Sequence, residues 1–143
     1  MPVGFKKEAM IPVSADILTE KIIGAAIEVH RHVGPGHLES FYRECLRHEL
    51  LLRGLNVEHE VKIPIRYKDL ATESYYRLDL VVENEVLLEL KAVEAVHPVH
   101  VAQALTYLAN TDFRLALLIN FNVPVLVQGV KRLIRKTNAP PPP

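Results

Sequence analysis

Two runs of alternating apolar residues, 75–82 and 86–92, are separated by only the three residues Glu83-Asn84-Glu85. A separation this short is typical of a β-hairpin, so the two runs are predicted to be antiparallel neighbours in a sheet. With a three-residue loop, Val82 pairs with Val86. Because successive side chains of a strand point to opposite faces, this one pairing sets the face of every other residue in both strands.

Counting back from the loop predicts three further cross-strand pairs: Leu80–Leu88, Asp79–Glu89 and Arg77–Lys91. Like charges placed directly opposite one another are destabilising, so a facing Asp79 and Glu89 require protonation, nearby cations or a divalent metal. Two carboxylates with open positions between them suit Mg²⁺ or Mn²⁺, and Lys91 lies on the same face. The spacing is equally compatible with a solvent-exposed charge ladder, and it leaves both interpretations open.

The remaining periodicities predict a mixed α/β chain. Helices are predicted over 15–32, 37–53, 98–110 and 125–136, and further strands over 57–67 and 114–121. The order α-α-β-β-β-α-β-α favours a mixed sheet flanked by helices. Pro64 places its strand at a sheet edge or a bulge.

The length of 143 residues favours one domain, predicted over 14–137. Residues 1–13 are predicted to be an N-terminal extension, and 138–143 a disordered Pro-rich tail.

Charge and composition limit the classes of function. The 17 Lys and Arg residues balance 17 Asp and Glu residues, which argues against a protein that holds nucleic acid by bulk attraction alone. The lone Cys45 excludes an internal disulfide framework and is compatible with a reducing compartment. The most apolar window, 115–130, contains too many polar residues to span a bilayer. We therefore expect a cytoplasmic protein with no membrane partner.

Polar residues on two predicted helices are further site candidates. Gln103 and Tyr107 lie one turn apart and could hydrogen-bond a phosphate or hold a lysine, although such a stripe is often only the solvated face of a helix. On the second helix, Glu39 falls at the edge of the apolar face. Glu49 falls there as well, so burial alone does not distinguish the two residues.

Three motifs together resemble the PD-(D/E)XK nuclease superfamily. Asp79 followed by Glu89-Leu90-Lys91 resembles its D…ExK signature, with Leu78 in place of the usual proline. The segment from Gln103 to Tyr107 is similar to the QxxxY motif of the exonuclease-like branch. The segment 36–42, Gly-His-Leu-Glu-Ser-Phe-Tyr, matches the motif of the GxxExxY family, which is placed in the same superfamily. The resemblance spans about residues 15–135.

The resemblance implies a restriction-endonuclease-like αβββαβ core, here with an extra N-terminal helix and a C-terminal helix. The metal ligands that it implies are Asp79, Glu89, the Leu90 carbonyl and Glu39. Glu39 could instead orient water. Lys91 would be the catalytic cation, and Gln103 and Tyr107 would position Lys91 or the scissile phosphate.

The expected function is hydrolysis of phosphodiester bonds in nucleic acid with Mg²⁺ or Mn²⁺, DNA being favoured over RNA. The net charge of zero then results from two opposed regions. One is an acidic centre, and the other consists of cations, such as Lys91 and Arg77, that meet phosphates. This balance predicts weak, metal-dependent binding. The alternatives are a nuclease-fold protein that binds nucleic acid with little turnover, and an oligomeric assembly protein. A homodimer or higher homo-oligomer is compatible with each of them.

Overall fold

The computed structural model describes residues 13–135. The predicted N-terminal extension, apart from Val13, and the predicted tail over 138–143 lie outside the described residues. The described helices are α1 (Val13–Val33), α2 (Glu39–Leu52) and α3 (Pro98–Ala109). The described strands are β1 (Val57–Tyr67), β2 (Leu70–Val82), β3 (Val86–Lys91), β4 (Leu115–Asn120) and β5 (Val130–Ile134). None of the helices in this part of the chain is long and apolar enough to cross a membrane.

The described strands form one sheet in the order β1-β2-β3-β4-β5. Neighbouring strands are antiparallel except β3 and β4, which are parallel. A parallel pair needs a crossover connection, and α3 supplies it. The predicted mixed sheet flanked by helices is confirmed, and the order from α2 to β4 is the predicted αβββαβ core.

Helices cover both faces of the central strands. On one face α1 and α2 pack through Ile22 and Leu46 against Leu88, Leu117 and their neighbours. On the other face α3 packs through Leu108 against a smaller apolar cluster. All six residues of β4 are buried, which explains why this strand is apolar on both faces.

The β2–β3 hairpin has the predicted register, since Val82 pairs with Val86 and Leu80 with Leu88. The ladder between β2 and β3 ends at the Leu80–Leu88 pair. The predicted pairs Asp79–Glu89 and Arg77–Lys91 lie beyond this end and are not part of the ladder. Arg77 is not opposite Lys91, because β2 continues away from β3 and Arg77 instead forms an ion pair with Glu60 of β1 at 2.9 Å.

Alternate residues of β2 change faces between Leu78 and Leu80. Leu80 and Val82 pack on the side of α1 and α2, whereas Leu78 packs with the cluster on the α3 side. The change occurs opposite Glu60, a non-glycine residue with φ of +50°. Further out, the register of β1 shifts after Pro64, which confirms both an edge strand and a bulge.

The predicted C-terminal helix over 125–136 is wrong. The chain forms a 3₁₀ turn, Leu126–Gly129, followed by β5, which pairs antiparallel with β4. A Cβ added at Gly129 would lie 2.1 Å from the Asn120 carbonyl oxygen, so only glycine permits the backbone to approach so closely. Pairing with the buried β4 overrides the helical spacing of the apolar residues, and the glycine was the local signal against a helix.

Candidate active site

The candidate site lies where β2 and β3 separate. Beyond the Leu80–Leu88 pair, the Leu90 N–H donates a hydrogen bond to Asp79 Oδ2 at 2.8 Å. The Asp79 N–H in turn donates to Glu89 Oε1 at 3.4 Å. Main-chain donors that the ladder no longer pairs are thus satisfied by carboxylates of the opposite strand. The separation of the strands therefore brings the two acidic side chains together.

Burial and mutual repulsion disfavour two negative charges at this position. Burial is the largest cause that raises the pKa of Asp79 above its usual value. Burial and then the charge of Asp79 raise the pKa of Glu89 to about 8, and Glu89 is only 5% exposed. In the absence of a bound cation, the pair therefore holds a proton near neutral pH.

Two cations partly offset this acidity. Lys91, two residues after Glu89 on β3, lowers the pKa of both carboxyl groups. Arg43 of α2 places Nη1 3.6 Å from Asp79 Oδ1 and lowers the pKa of Asp79. Sequence reasoning missed Arg43. The available signal was its position four residues after Glu39, on the same face of the helix.

The first residue of α2, Glu39, lies near the acidic pair. The Ala92 N–H donates to Glu39 Oε2 at 3.4 Å, just after the end of β3. The charge of Glu39 raises the pKa of both Asp79 and Glu89. Glu49 instead forms an ion pair with Arg53 at 2.9 Å near the other end of the helix. The tertiary structure thus places Glu39, and not Glu49, near the acidic pair, a difference that the sequence pattern did not predict.

The loop before α2 sets the position of Glu39. Gly34 and Gly36 both have positive φ, a conformation that glycine adopts without strain. The Tyr42 hydroxyl donates a hydrogen bond to the Gly34 carbonyl at 2.6 Å, and its ring stacks on Phe121 at 4.5 Å. Tyr42 and the two glycines hold the loop, and Glu39, between Gly36 and Tyr42, lies close enough to the acidic pair for its charge to raise both pKa values.

The residues of the predicted polar stripe on α3 have different surroundings. Tyr107 is buried, lies 5.2 Å from the Tyr76 ring, and has a pKa raised by burial and by the charges of Glu89 and Asp79. It is therefore close enough to sense the acidic pair. Gln103, one turn earlier, is exposed, and no recorded contact among the described residues joins its side chain to that pair.

A divalent cation such as Mg²⁺ needs oxygen donors, and Asp79 and Glu89 supply them at this position. Within residues 13–135, no three His, Cys, Asp or Glu side chains converge as a ready metal site. Asp79 and Glu89 are nevertheless two adjacent hard-oxygen donors, and burial raises the pKa of both, an effect that a bound cation would oppose. Two carboxylates that leave the other positions to water and substrate suit Mg²⁺ or Mn²⁺, so the residues fit.

Comparison with known proteins defines the class. A sequence model of the PD-(D/E)XK nuclease superfamily matches residues 16–133, which is most of the chain. The chain belongs to the PD-(D/E)XK nuclease superfamily. Membership implies nuclease chemistry on a nucleic acid, in general with a divalent metal. Searches of curated proteins and of solved structures each return no match.

Proposed function

We propose that this protein is a Mg²⁺- or Mn²⁺-dependent nuclease that hydrolyses phosphodiester bonds, with DNA as the favoured substrate. The observation that carries the proposal is the buried Asp79–Glu89 pair beside Lys91, at the point where two sheet strands separate. A buried pair of like charges is costly to a fold. Such a pair is retained most readily where a bound cation, with the phosphate of a substrate, offsets the repulsion between the two carboxylates.

The ligands of the cation would be Asp79, Glu89 and the Leu90 carbonyl. A divalent cation bound there would lower the pKa of a water molecule and offset the charge of the scissile phosphate. Glu39, which accepts a hydrogen bond from the Ala92 N–H, would orient the attacking water rather than complete a three-carboxylate cage.

Two cations of the chain have separate roles in the proposal. Lys91 would donate to a non-bridging phosphate oxygen and stabilise the charge that develops in the transition state. Arg43 contacts Asp79 and would keep its carboxylate ionised and oriented. Arg43 is therefore proposed as a positioning residue and Lys91 as a catalytic one.

Residues of α3 complete the proposed site. The raised pKa of Tyr107 keeps its hydroxyl protonated at ordinary pH, so it can donate a hydrogen bond to the scissile phosphate. Exposed Gln103, one turn away, is available to a bound substrate in the same way. Both residues would position the phosphate.

The test is incubation with labelled single- and double-stranded DNA and RNA, with Mg²⁺, with Mn²⁺ and with EDTA. We expect cleavage only with metal, and loss of cleavage in Asp79→Ala and Lys91→Ala. Lys21→Ala, an exposed lysine on α1, is the matched control and should cleave like wild type. Cleavage that survives in both site variants would refute the assignment. Metal-dependent binding without cleavage would favour the binding-protein alternative.

A further inference from the structure

The outer part of the β1–β2 hairpin, residues 60–77, extends beyond the other strands and is here termed the arm. Its two strands pair with each other, and the ladder with β3 is confined to residues 80–82 of β2. One face of the arm is anchored, because Val61, Ile63 and Tyr76 pack against the apolar cluster on the α3 side. The arm is thus fixed at its base, and its other face is exposed.

Two cations lie directly opposite each other on this exposed face. Lys62 of β1 pairs in register with Arg77 of β2, and both are exposed, Arg77 at 56%. Like charges in directly opposed positions destabilise a sheet. Glu60 contacts Arg77 at 2.9 Å and offsets part of this cost. A phosphate group between the two cations would offset more of it.

Aromatic rings accompany the cations along the arm. Lys62 Nζ lies 4.8 Å from the centroid of the Tyr75 ring, and Lys68 Nζ lies 5.4 Å from that of Tyr67 at the tip. Tyr75 is 48% and Tyr67 63% exposed. Cations that follow a phosphate backbone, interleaved with rings on which bases stack, are the usual components of a surface that binds nucleic acid strands.

The arm leads directly to the candidate site. Tyr75 and Arg77 precede Asp79 at two-residue intervals along β2, and each interval spans roughly 7 Å of strand. A strand of nucleic acid with its scissile phosphate at Asp79 would therefore pass over the exposed face of the arm.

We propose that the arm is the docking surface for the backbone of a polynucleotide on one side of the scissile bond. The proposal rests on the proposed nuclease function. Residues 60–77 contain four cationic side chains and three carboxylates, an excess of one positive charge that predicts weak binding. Lys62, Arg77 and Tyr75 are the central contacts, and Tyr67 with Lys68 extends them to the tip.

A second copy of this chain is the less suitable occupant of the arm. β1 is an edge strand, and edges with free main-chain groups can pair with another chain. Pro64 lacks an N–H donor, and exposed Lys62 and Arg66 flank it. Proline and charge on an edge strand oppose such pairing.

The test measures binding and cleavage separately. Lys62→Ala/Arg77→Ala and Tyr75→Ala are compared with wild type and with Lys21→Ala, and circular dichroism and a melting curve confirm that each variant is folded. Binding of a fluorescein-labelled 20-nucleotide DNA is followed by anisotropy from 50 to 200 mM salt, with Ca²⁺ in place of Mg²⁺. Cleavage of the 20-mer and of a trinucleotide, too short to span the arm, is followed with Mg²⁺.

We expect the double variant to bind the 20-mer about tenfold more weakly, with a salt slope smaller by about 1 to 2, and Tyr75→Ala to bind several-fold more weakly with an unchanged slope. Cleavage of the trinucleotide should fall less than cleavage of the 20-mer in both variants, because the shorter substrate leaves most of the arm unoccupied. Binding and salt slope equal to those of Lys21→Ala would overturn the inference about the arm while wild-type cleavage still supports the nuclease.

If wild type cleaves neither substrate, the proposed function fails, and the anisotropy series still decides whether the arm binds DNA. A dimer of the wild type, detected by light scattering and lost in the double variant, would assign the arm to self-association and overturn the inference.

Discussion

The two halves of β2 belong to different environments although they form one continuous strand. The inner half, residues 78–82, is buried apart from Asp79, and its residues 80–82 pair with strands on both sides. The outer half, residues 70–77, pairs with β1 alone and is largely exposed. Asp79 lies at the boundary, next to the last pair that β2 makes with β3.

The comparison shows how a sheet can create a site. Where β3 separates from β2, main-chain donors need new acceptors, and the carboxylates of Asp79 and Glu89 supply them. The inner half contributes rigidity and low polarity, which raise the proton affinity of the pair. The outer half contributes an exposed, cation-bearing surface beside it. The four predictions below test this division between the halves.

The largest effect is expected at the inner site. Lys91→Ala should lower the rate of cleavage by about 10²–10³-fold, because it removes a cation next to the developing phosphate charge. The unfolding midpoint should fall only slightly, because the variant loses an attraction to an acidic pair that already holds a proton near neutral pH. Steady-state cleavage with Mg²⁺ measures the effect, with Lys21→Ala as control. A variant that retains a tenth or more of the activity would place the catalytic cation elsewhere.

Stability should differ sharply between the halves. Leu80→Ala removes a fully buried side chain of the inner half and should cost about 2–5 kcal/mol of unfolding free energy. Leu70→Ala removes the same atoms from the outer half, where the side chain is 57% exposed, and should cost under about 0.5 kcal/mol. Urea unfolding compares them directly. Equal costs would show that the outer half is packed in solution.

The metal-free protein should become less stable as pH rises from about 5 to 8. Glu89 has a folded pKa of about 8, above the usual 4.5, so its contribution to stability is complete below pH 4.5 and is lost as pH rises through 8. The loss should be on the order of a few kcal/mol. Urea unfolding in EDTA at pH 5, 6.5 and 8 measures it.

Glu89→Gln is the control for this pH dependence, since it cannot ionise and should flatten most of the profile. Mg²⁺ added at pH 8 should raise the free energy of unfolding of the wild-type protein and should not raise that of Glu89→Gln. A wild-type profile that is already flat in EDTA would contradict the burial of the acidic pair.

The smallest effect is expected at Arg43. Arg43→Ala removes a cation that lowers the pKa of Asp79, so that pKa should rise. Cleavage should then fall roughly threefold or more at pH 6 and less at pH 8, because a higher pKa of Asp79 leaves less of the carboxylate ionised at the lower pH. Arg43→Lys keeps the charge and should retain most activity at pH 6. An equal loss at both pH values would indicate a structural role instead.

Local patterns predicted the centre of the sheet and most of the site. The alternation in 75–82 and 86–92 and the short loop between them predicted the register that the structure has. That register predicted Asp79 opposite Glu89. In the structure the ladder ends one pair earlier, and hydrogen bonds to main-chain N–H groups bring the two carboxylates together just beyond it. Their catalytic and metal-binding roles stay predictions that the experiments above test.

Contacts between distant parts of the chain were not predictable in this way. The ion pair of Arg43 with Asp79 depends on how α2 lies across the sheet, and periodicity along α2 carries no such information. The segment 125–136 has apolar residues at helical spacing, yet β5 pairs with β4 because the edge of that buried strand offers unpaired main-chain groups.

The sequence alone determined the register of the pairs next to the β2–β3 loop, from Val82–Val86 to Leu80–Leu88, because a three-residue loop and a period of two are local properties of the chain. Only the tertiary structure decided where β2 and β3 separate, that Glu39 rather than Glu49 lies near the acidic pair, and that Arg77 turns to Glu60. Each of these depends on packing between elements far apart in the chain. The free energy of that packing, and not local propensity, selects among the arrangements that the sequence pattern allows.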